Sequence, residues 1–257
     1  MNAVESEPYV DIEKFCDYVY SIRLCRGPNN FFSYQMISAV ADALEECDKN
    51  DDCRVVLLCA EGKNFCAGAD FSGATPAYST ADLYGAAERL FRTRKPIVAA
   101  VQGAAIGGGL GLAMAADFRV VTTETRVSAN FSRLGFHHGF GLSVTLPRAI
   151  GEQRTAELLM TGRRIDGAAA YSCGLADRLA NPGNLLNESL ELAKEIALSA
   201  PLAVESIRAT LRGNIADQVH AATQHEMDEQ LRLRQTEDFA EGAKAMAERR
   251  TPIFKRL

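Results

Sequence analysis

Apolar residues alternate along this chain between short uncharged runs and helical spacing. Val55-Val56-Leu57-Leu58-Cys59-Ala60 and Pro96-Ile97-Val98-Ala99-Ala100-Val101 are rich in β-branched residues and too short for helices, and they predict buried strands. Met36, Ile37, Val40 and Leu44 recur at helical spacing within Ser33 to Lys49, with Ser33 placed to cap that helix. Val10 to Glu13 and Val19 to Leu24 predict a hairpin around Asp17, and Phe118 to Thr122 and Arg126 to Ser128 read as strands. The Ser72 to Thr80 stretch predicts a loop leading into a helix over Ala81 to Arg92, which Arg92, Arg94 and Lys95 complement with positive charge at its end. Further helices are predicted over Leu142 to Ile150, Arg154 to Met160, Gly167 to Tyr171, Leu185 to Leu198, Ala203 to Arg212, Ile215 to Arg232 and Phe239 to Arg249. Strand, helix and strand in succession imply parallel crossovers and an α/β fold. Asn181-Pro182-Gly183-Asn184 is the clearest punctuation, dividing an α/β core (residues 1–183) from a helical C-terminal region (184–257).

The strand ending at Val101 runs into Gly103-Ala104-Ala105-Ile106-Gly107-Gly108-Gly109-Leu110-Gly111 and then into small apolar residues at helical spacing. A strand, a glycine turn and a helix can point bare N–H groups at a ligand oxygen that gains negative charge, or can simply let the helix pack tightly on the strand. The strand ending at Ala60 leads to a second loop, Asn64-Phe65-Cys66-Ala67-Gly68-Ala69-Asp70-Phe71. Two strand-ending loops of small residues, each able to present an N–H, make an oxyanion pair plausible.

Phe65-Cys66-Ala67-Gly68-Ala69-Asp70 followed by Gly107-Gly108-Gly109 resembles the crotonase, or enoyl-CoA hydratase/isomerase, superfamily. Arg26 and Pro28, Gly151 to Gly162, Gly167 to Gly174 and the tail from Phe239 to Phe254 look like further landmarks, so the resemblance spans nearly the whole chain. It implies a spiral of strand-strand-helix turns with a helical C-terminal trimerisation region, assembling as a homotrimer or a dimer of trimers. It also implies that the N–H groups of Ala69 and Gly108 hold the thioester carbonyl of an acyl-CoA. Arg26, Pro28, Ala67, Gly68, Asp70, Phe71, Gly107 and Phe131 would line the pocket, with no cofactor beyond the substrate's own coenzyme A. Asp70, in this family, mostly stabilises its own turn.

The same resemblance places hydratase glutamates two residues after the glycine triplet and on the strand twenty residues later, which are Gly111 and Phe131 in this chain. Neither can transfer a proton, so two-carboxylate hydration is put in doubt. Two of the four histidines, His137 and His138, fall in Gly135-Phe136-His137-His138-Gly139-Phe140-Gly141, beside the expected acyl carbon, and are candidates for acid–base work. Three functions stay open: an enzyme stabilising an acyl-CoA enolate; a hydrolase, dehalogenase or decarboxylase on the same scaffold; and a silent acyl-CoA-binding protein. Asp117 and Glu157 read as solvated or capping residues, His220 and His225 as surface helix positions.

Composition narrows the field. With 257 residues, 47% hydrophobic and 24% charged, the chain has an ordinary soluble make-up, and a net charge of −5 gives no global attraction for nucleic acid or an anionic membrane. Cys16, Cys25, Cys47, Cys53, Cys59, Cys66 and Cys173 lack paired metal-ligand spacing, and a reducing cytoplasm suits seven scattered thiols. Cys66 lies in the motif loop, where packing is favoured over nucleophilic chemistry because no base is paired with it. The first seven residues lack signal-peptide character and no apolar run reaches transmembrane length. No Walker lysine or dinucleotide fingerprint accompanies the glycines, and no metal site is expected.

Overall fold

The computed structural model describes residues 9–69 and 78–257. β1 (Val10–Cys16) and β2 (Val19–Leu24) form the expected antiparallel hairpin, turning through Tyr18 at φ 65°. β3 (Val55–Ala60), β4 (Ile97–Val101), β6 (Phe118–Thr122) and β9 (Arg178–Ala180) follow β2 in parallel, completing a six-stranded sheet. A second sheet of three short strands, β5 (Ala104–Ile106), β7 (Arg126–Ser128) and β8 (Arg164–Asp166), stands beside it. Strands β5, β8 and β9 have three residues each, too few for a hydrophobic period to show in sequence.

Both faces of the large sheet are covered, which is why its strands read as continuous apolar runs. Val56 and Leu58 face the main core with Met36, Ile37, Val40 and Leu44 of α1 (Tyr34–Lys49). Val55 and Leu57 face the opposite way, onto Leu192, Ala193 and Ala197 of α6 (Leu185–Ala197). The α/β layer therefore extends past residue 183 to include α6. Ser33 caps α1 by accepting the Met36 N–H at 3.2 Å.

The stretch expected as two helices on either side of residue 151 is α4 (Leu142–Thr161), broken at Gly151 with φ 77° and ψ 162°. Three further helices, α7 (Pro201–Arg212), α8 (Ile215–Leu233) and α9 (Glu237–Ala247), complete the C-terminal part. No helix among the described residues is long and apolar enough to cross a membrane.

Two charge assignments need correcting. Asp117 is neither solvated nor a cap: its side chain is largely buried and takes Arg208 Nε at 2.8 Å, Arg212 Nη1 at 2.9 Å and the Ile97 N–H at 2.8 Å. It ties α7 to the entry of β4 through two guanidiniums and a backbone N–H. Lys95 likewise does not serve the helix before it. Its ammonium is buried and donates to the carbonyls of Cys47, at 2.7 Å, and Asn50, closing the C-terminal end of α1.

Asp117→Asn removes the charge that Arg208 and Arg212 share. Breaking a buried pair from one side costs about 3–5 kcal/mol. Urea denaturation of this variant is expected to show a midpoint well below wild type with an unchanged slope; equal midpoints would reduce the cluster to a surface-like pairing.

Candidate active site

The two glycine-bearing loops are stitched together by their backbones. Cys66 N–H donates to Ala104 O at 2.9 Å and Ile106 N–H returns to Cys66 O at 3.0 Å, fixing the first loop along β5. On the other side Ala67 N–H donates to Asn29 O at 3.0 Å and Phe32 N–H to Gly68 O at 2.8 Å. The contact tolerates no side chains: a Cβ at Gly109 would lie 2.2 Å from Cys66 O, and one at Gly68 3.1 Å from Ile106 O. Gly107 adopts φ 56° and ψ −117°, a conformation that requires glycine.

The directions of the two expected donors follow from these bonds. In a trans peptide the C=O and the next N–H point opposite ways. Gly68 O points at Phe32, so the Ala69 N–H points away from it. Gly107 O accepts Gly111 N–H at 3.1 Å within α3 (Gly108–Ala115), so the Gly108 N–H projects out of the helix N-terminus. Cys66, between them, is fully buried, and burial pushes its thiol up to about 12, which suits a packing residue.

Among the described residues, aromatic rings surround this turn. Phe131 lies in a 3₁₀ turn (Asn130–Leu134) just after β7 rather than on a strand, and its Cζ would be 3.6 Å from a Cβ at Gly107. Phe131 meets Phe136 edge-on at 5.4 Å, and Phe136 meets Phe239 at 5.2 Å. Phe32 covers Gly108, 2.9 Å from where its Cβ would be, and packs on Phe140 at 5.2 Å. Phe140 fills the space beside Gly111: a Cβ there would lie 2.5 Å from Phe140 Cδ1 and 2.6 Å from its Cβ. Position 111 therefore has no room for any side chain while Phe140 stays.

The reading of His137 and His138 as acid–base groups meets a geometry that turns both rings toward α8. His138 Nε2 is 2.7 Å from Ser143 Oγ, whose own hydrogen goes to Glu226 Oε1 at 2.6 Å, so Nε2 carries the His138 hydrogen. His137 Nδ1 donates to the His138 carbonyl at 2.8 Å, and its ring stacks on His138 at 4.1 Å and meets His225 at 5.8 Å. Burial, then the neighbouring His137 and His225, push His138 down to about 3. Glu226 is completely buried and also accepts Gly141 N–H at 2.8 Å and Ser143 N–H at 3.2 Å, anchoring the start of α4 and with it the histidine loop.

Arg26 and Pro28 sit in a segment bound to the far end of the first loop. Buried Asn30 accepts the Arg26 N–H at 2.8 Å and donates to Glu61 O and Asn64 O at 2.9 and 2.8 Å. Pro28 O accepts the Lys63 and Asn64 N–H groups, both at 3.0 Å, and the Arg26 guanidinium lies 4.3 Å over the Tyr9 ring. Asp70 and Phe71 lie outside the described residues.

Sequence reasoning missed Glu226 and Ser143. A signal for the first existed: α8 buries Ile215, Val219, Thr223, Glu226 and Gln230, a helical stripe that turns polar where it meets the histidine loop.

A family model for enoyl-CoA hydratase/isomerase matches residues 15–256. The chain belongs to the enoyl-CoA hydratase/isomerase family. It is 30% identical to the enoyl-CoA hydratase EchA19 of Mycobacterium tuberculosis, with 99% of each chain covered. Among solved structures it is similar to an enoyl-CoA hydratase/isomerase from Pseudoalteromonas atlantica (TM-score 0.86, 29% identity, 96% of this chain and 100% of that one). It is also similar to a carnitinyl-CoA hydratase from Mycobacterium avium (TM-score 0.87, 27% identity, 98% and 100%).

Two outcomes follow from this geometry. Gly111→Glu alone is expected to destabilise the protein by at least about 1–3 kcal/mol through overpacking. Combined with Phe140→Gly, which removes the Cβ as well as the ring, it should cost less than the two single changes summed, so a double-mutant cycle by urea denaturation showing simple additivity would refute the interlock. The second concerns pH. His138 is held below its ordinary value of 6.5, so the unfolded chain binds a proton that the folded one refuses between pH 6.5 and about 3. Its contribution is complete above 6.5 and is lost as pH falls through that window. Wild type should lose more stability between pH 7 and pH 4.5 than His138→Gln, which lacks the titration; parallel declines would show that His138 accepts its proton freely.

Proposed function

We propose that the protein is an acyl-CoA enzyme that polarises a thioester carbonyl between the Ala69 and Gly108 N–H groups and works on the resulting enolate by chemistry other than two-carboxylate hydration. The observation that carries this reading is the interlock of Gly111 with Phe140. One of the two positions where the resemblance puts a carboxylate is closed by a ring, and the other is a phenylalanine that itself leans on Gly107. The oxyanion turn keeps every glycine its close contacts require, which favours an enzyme over a silent acyl-CoA carrier. Hydrolysis, dehalogenation and decarboxylation of an acyl-CoA all need an enolate or oxyanion stabiliser without needing that carboxylate pair.

In this reading Arg26, Pro28, Ala67, Gly68, Asp70, Phe71, Gly107 and Phe131 surround the CoA thioester, and His137 and His138 shape the loop that carries Phe140. The assembly is a homotrimer or a dimer of trimers in the cytoplasm. Leu198, Leu202, Ile207 and Leu211, along and just before α7, are 58–86% exposed and support assembly, because a monomer has no use for such an apolar row.

Incubation with a panel of unsaturated, 3-hydroxy, halogenated and malonyl-type acyl-CoAs, followed by mass spectrometry, tests the reading. Turnover is expected with a substituted acyl-CoA, while crotonyl-CoA hydration should fall about 10²–10⁴-fold short of an efficient hydratase for want of acid–base help. Crotonyl-CoA hydration on the order of 10 s⁻¹ or faster would overturn it.

A further inference from the structure

A group of arginines gathers at the end of β4 remote from the glycine turn. Thr93 and Arg94 follow α2 (Thr80–Arg89) and lead into that strand, whereas the glycine turn lies beyond its last residue, Val101. Five residues at about 3.3 Å each put about 16 Å of strand between the two. Here α7 and the start of α8 meet residues 91–94 around a cavity of about 570 Å³. That is the size of a small-molecule pocket, typically about 300–1,000 Å³.

The cavity has an apolar side and a cationic one. Phe91, Leu202 and Ile215 supply the first, and Arg92, Arg94, Arg208 and Arg212 supply four guanidiniums against two carboxylates, Glu205 and Asp217. Arg208 is fully engaged: Nε meets Asp117 at 2.8 Å, Nη1 the Thr93 carbonyl and Nη2 the Thr93 hydroxyl at 3.4 Å. Arg212 is not. Its Nη1 donates to Asp117 at 2.9 Å and to Ala115 O at 3.3 Å, while Nε and Nη2 are buried without a hydrogen-bond partner among the described residues. Buried donors left in this way destabilise the fold until an acceptor meets them.

The other two arginines stand at the rim and hold their acids loosely. Arg92 Nη2 lies 3.3 Å from Asp217 and Arg94 Nη1 3.6 Å from Glu205, and both arginine side chains are more than half exposed. With Asp117 counted, the four guanidiniums face three carboxylates, which leaves one positive charge in excess. Asp48 outside the cavity is engaged by the Arg94 and Lys95 N–H groups, and Arg148, 3.3 Å from Leu211 O, offsets it from the α7 side. Backbone donors complete the ring. The first bonds of α8 run from the Asp217 and Gln218 N–H groups to Asn214 O, so the N–H groups of Asn214, Ile215 and Ala216, all lining the cavity, have no acceptor among the described residues.

We propose that this cavity binds a phosphate-bearing small molecule, at a site separate from the thioester pocket. Its phosphoryl oxygens would lie among Arg92, Arg94, Arg212 and the start of α8, with its organic part against Phe91, Leu202 and Ile215. Donors approach from three elements, the 91–94 segment, α7 and α8, and a tetrahedral phosphoryl group offers an oxygen to each where a planar carboxylate offers two in one plane. The site does not depend on the oxyanion reading above.

Isothermal titration of the full chain with inorganic phosphate and with adenosine 3′,5′-bisphosphate, in chloride of matched ionic strength, tests the proposal. Saturable binding of one ligand per chain is expected. Arg94→Gln should weaken it at least about tenfold. Glu205→Gln, which frees Arg94 and removes a facing negative charge, should tighten it about threefold. Thermal midpoints of both variants should stay close to wild type, because the pair they alter is loose and sits at the rim. Phosphate binding that the bisphosphate does not improve marks a free phosphate ester as the source. Bisphosphate binding at least about tenfold tighter, and answering to the same substitutions, marks the nucleotide end of a coenzyme A. No saturable binding of either up to about 10 mM, or Kd values that both substitutions leave within about twofold, overturns the site.

Discussion

The structure depends on backbone contacts that exclude Cβ atoms. The carbonyl of Cys66 sits against the Cα of Gly109, and the carbonyl of Ile106 sits near that of Gly68. These contacts bind two strand-ending loops, the one after β3 and the turn from β5 into α3, into one unit. They fix the peptide planes on both sides, and so decide which way the Ala69 and Gly108 N–H groups point. Donors held in this way need no reorganisation when charge develops on a ligand oxygen, which is where most of the value of such a pair lies. The aromatic rings are a second consequence. With no side chains at 107, 108 and 111, the surface of the turn is bare backbone, and Phe131, Phe32 and Phe140 pack onto it.

The C-terminal helices are joined to this unit by buried charge as well as by apolar contacts such as those of Ile215 and Val219. Asp117 fastens α7 to the sheet through two guanidiniums, and Glu226 fastens α8 to the start of α4 through two N–H groups and a hydroxyl. The latter bond has reach. Gly141 follows Phe140 directly and Ser143 comes two residues later, so an acid 85 residues beyond Gly141 holds the backbone that sets where the ring beside Gly111 sits.

Much of this was legible in the chain. Val55 to Ala60 and Ile97 to Val101 announced themselves as strands because both their faces are buried, and the glycines of 68 and 107–109 marked close approaches because no other residue satisfies their geometry. What escaped were features with no local period. β5, β8 and β9 are three-residue pairings whose partners are distant in sequence. Asp117 looked like a helix end because its arginines lie some ninety residues on, and Lys95 looked like a helix terminus because the carbonyls it serves belong to a different helix. Hydrogen-bond polarity, such as the hydrogen on His138 Nε2, is a property of a three-residue chain, and no single residue declares it.

The fit of Phe140 into the vacancy beside Gly111 also says something about descent. Suppose an ancestor carried a glutamate at 111, the position where the sequence resemblance puts one. Its loss had to come before or together with the arrival of a large ring at 140, since the two cannot occupy the same space. Once the ring was in place the path closed behind it, because any side chain regained at 111 meets the ring before it meets a substrate. Drift back to the older chemistry must begin at 140, a residue that takes no part in that chemistry and on which selection for it cannot act. Under that supposition a single packing contact turns the loss into a one-way step.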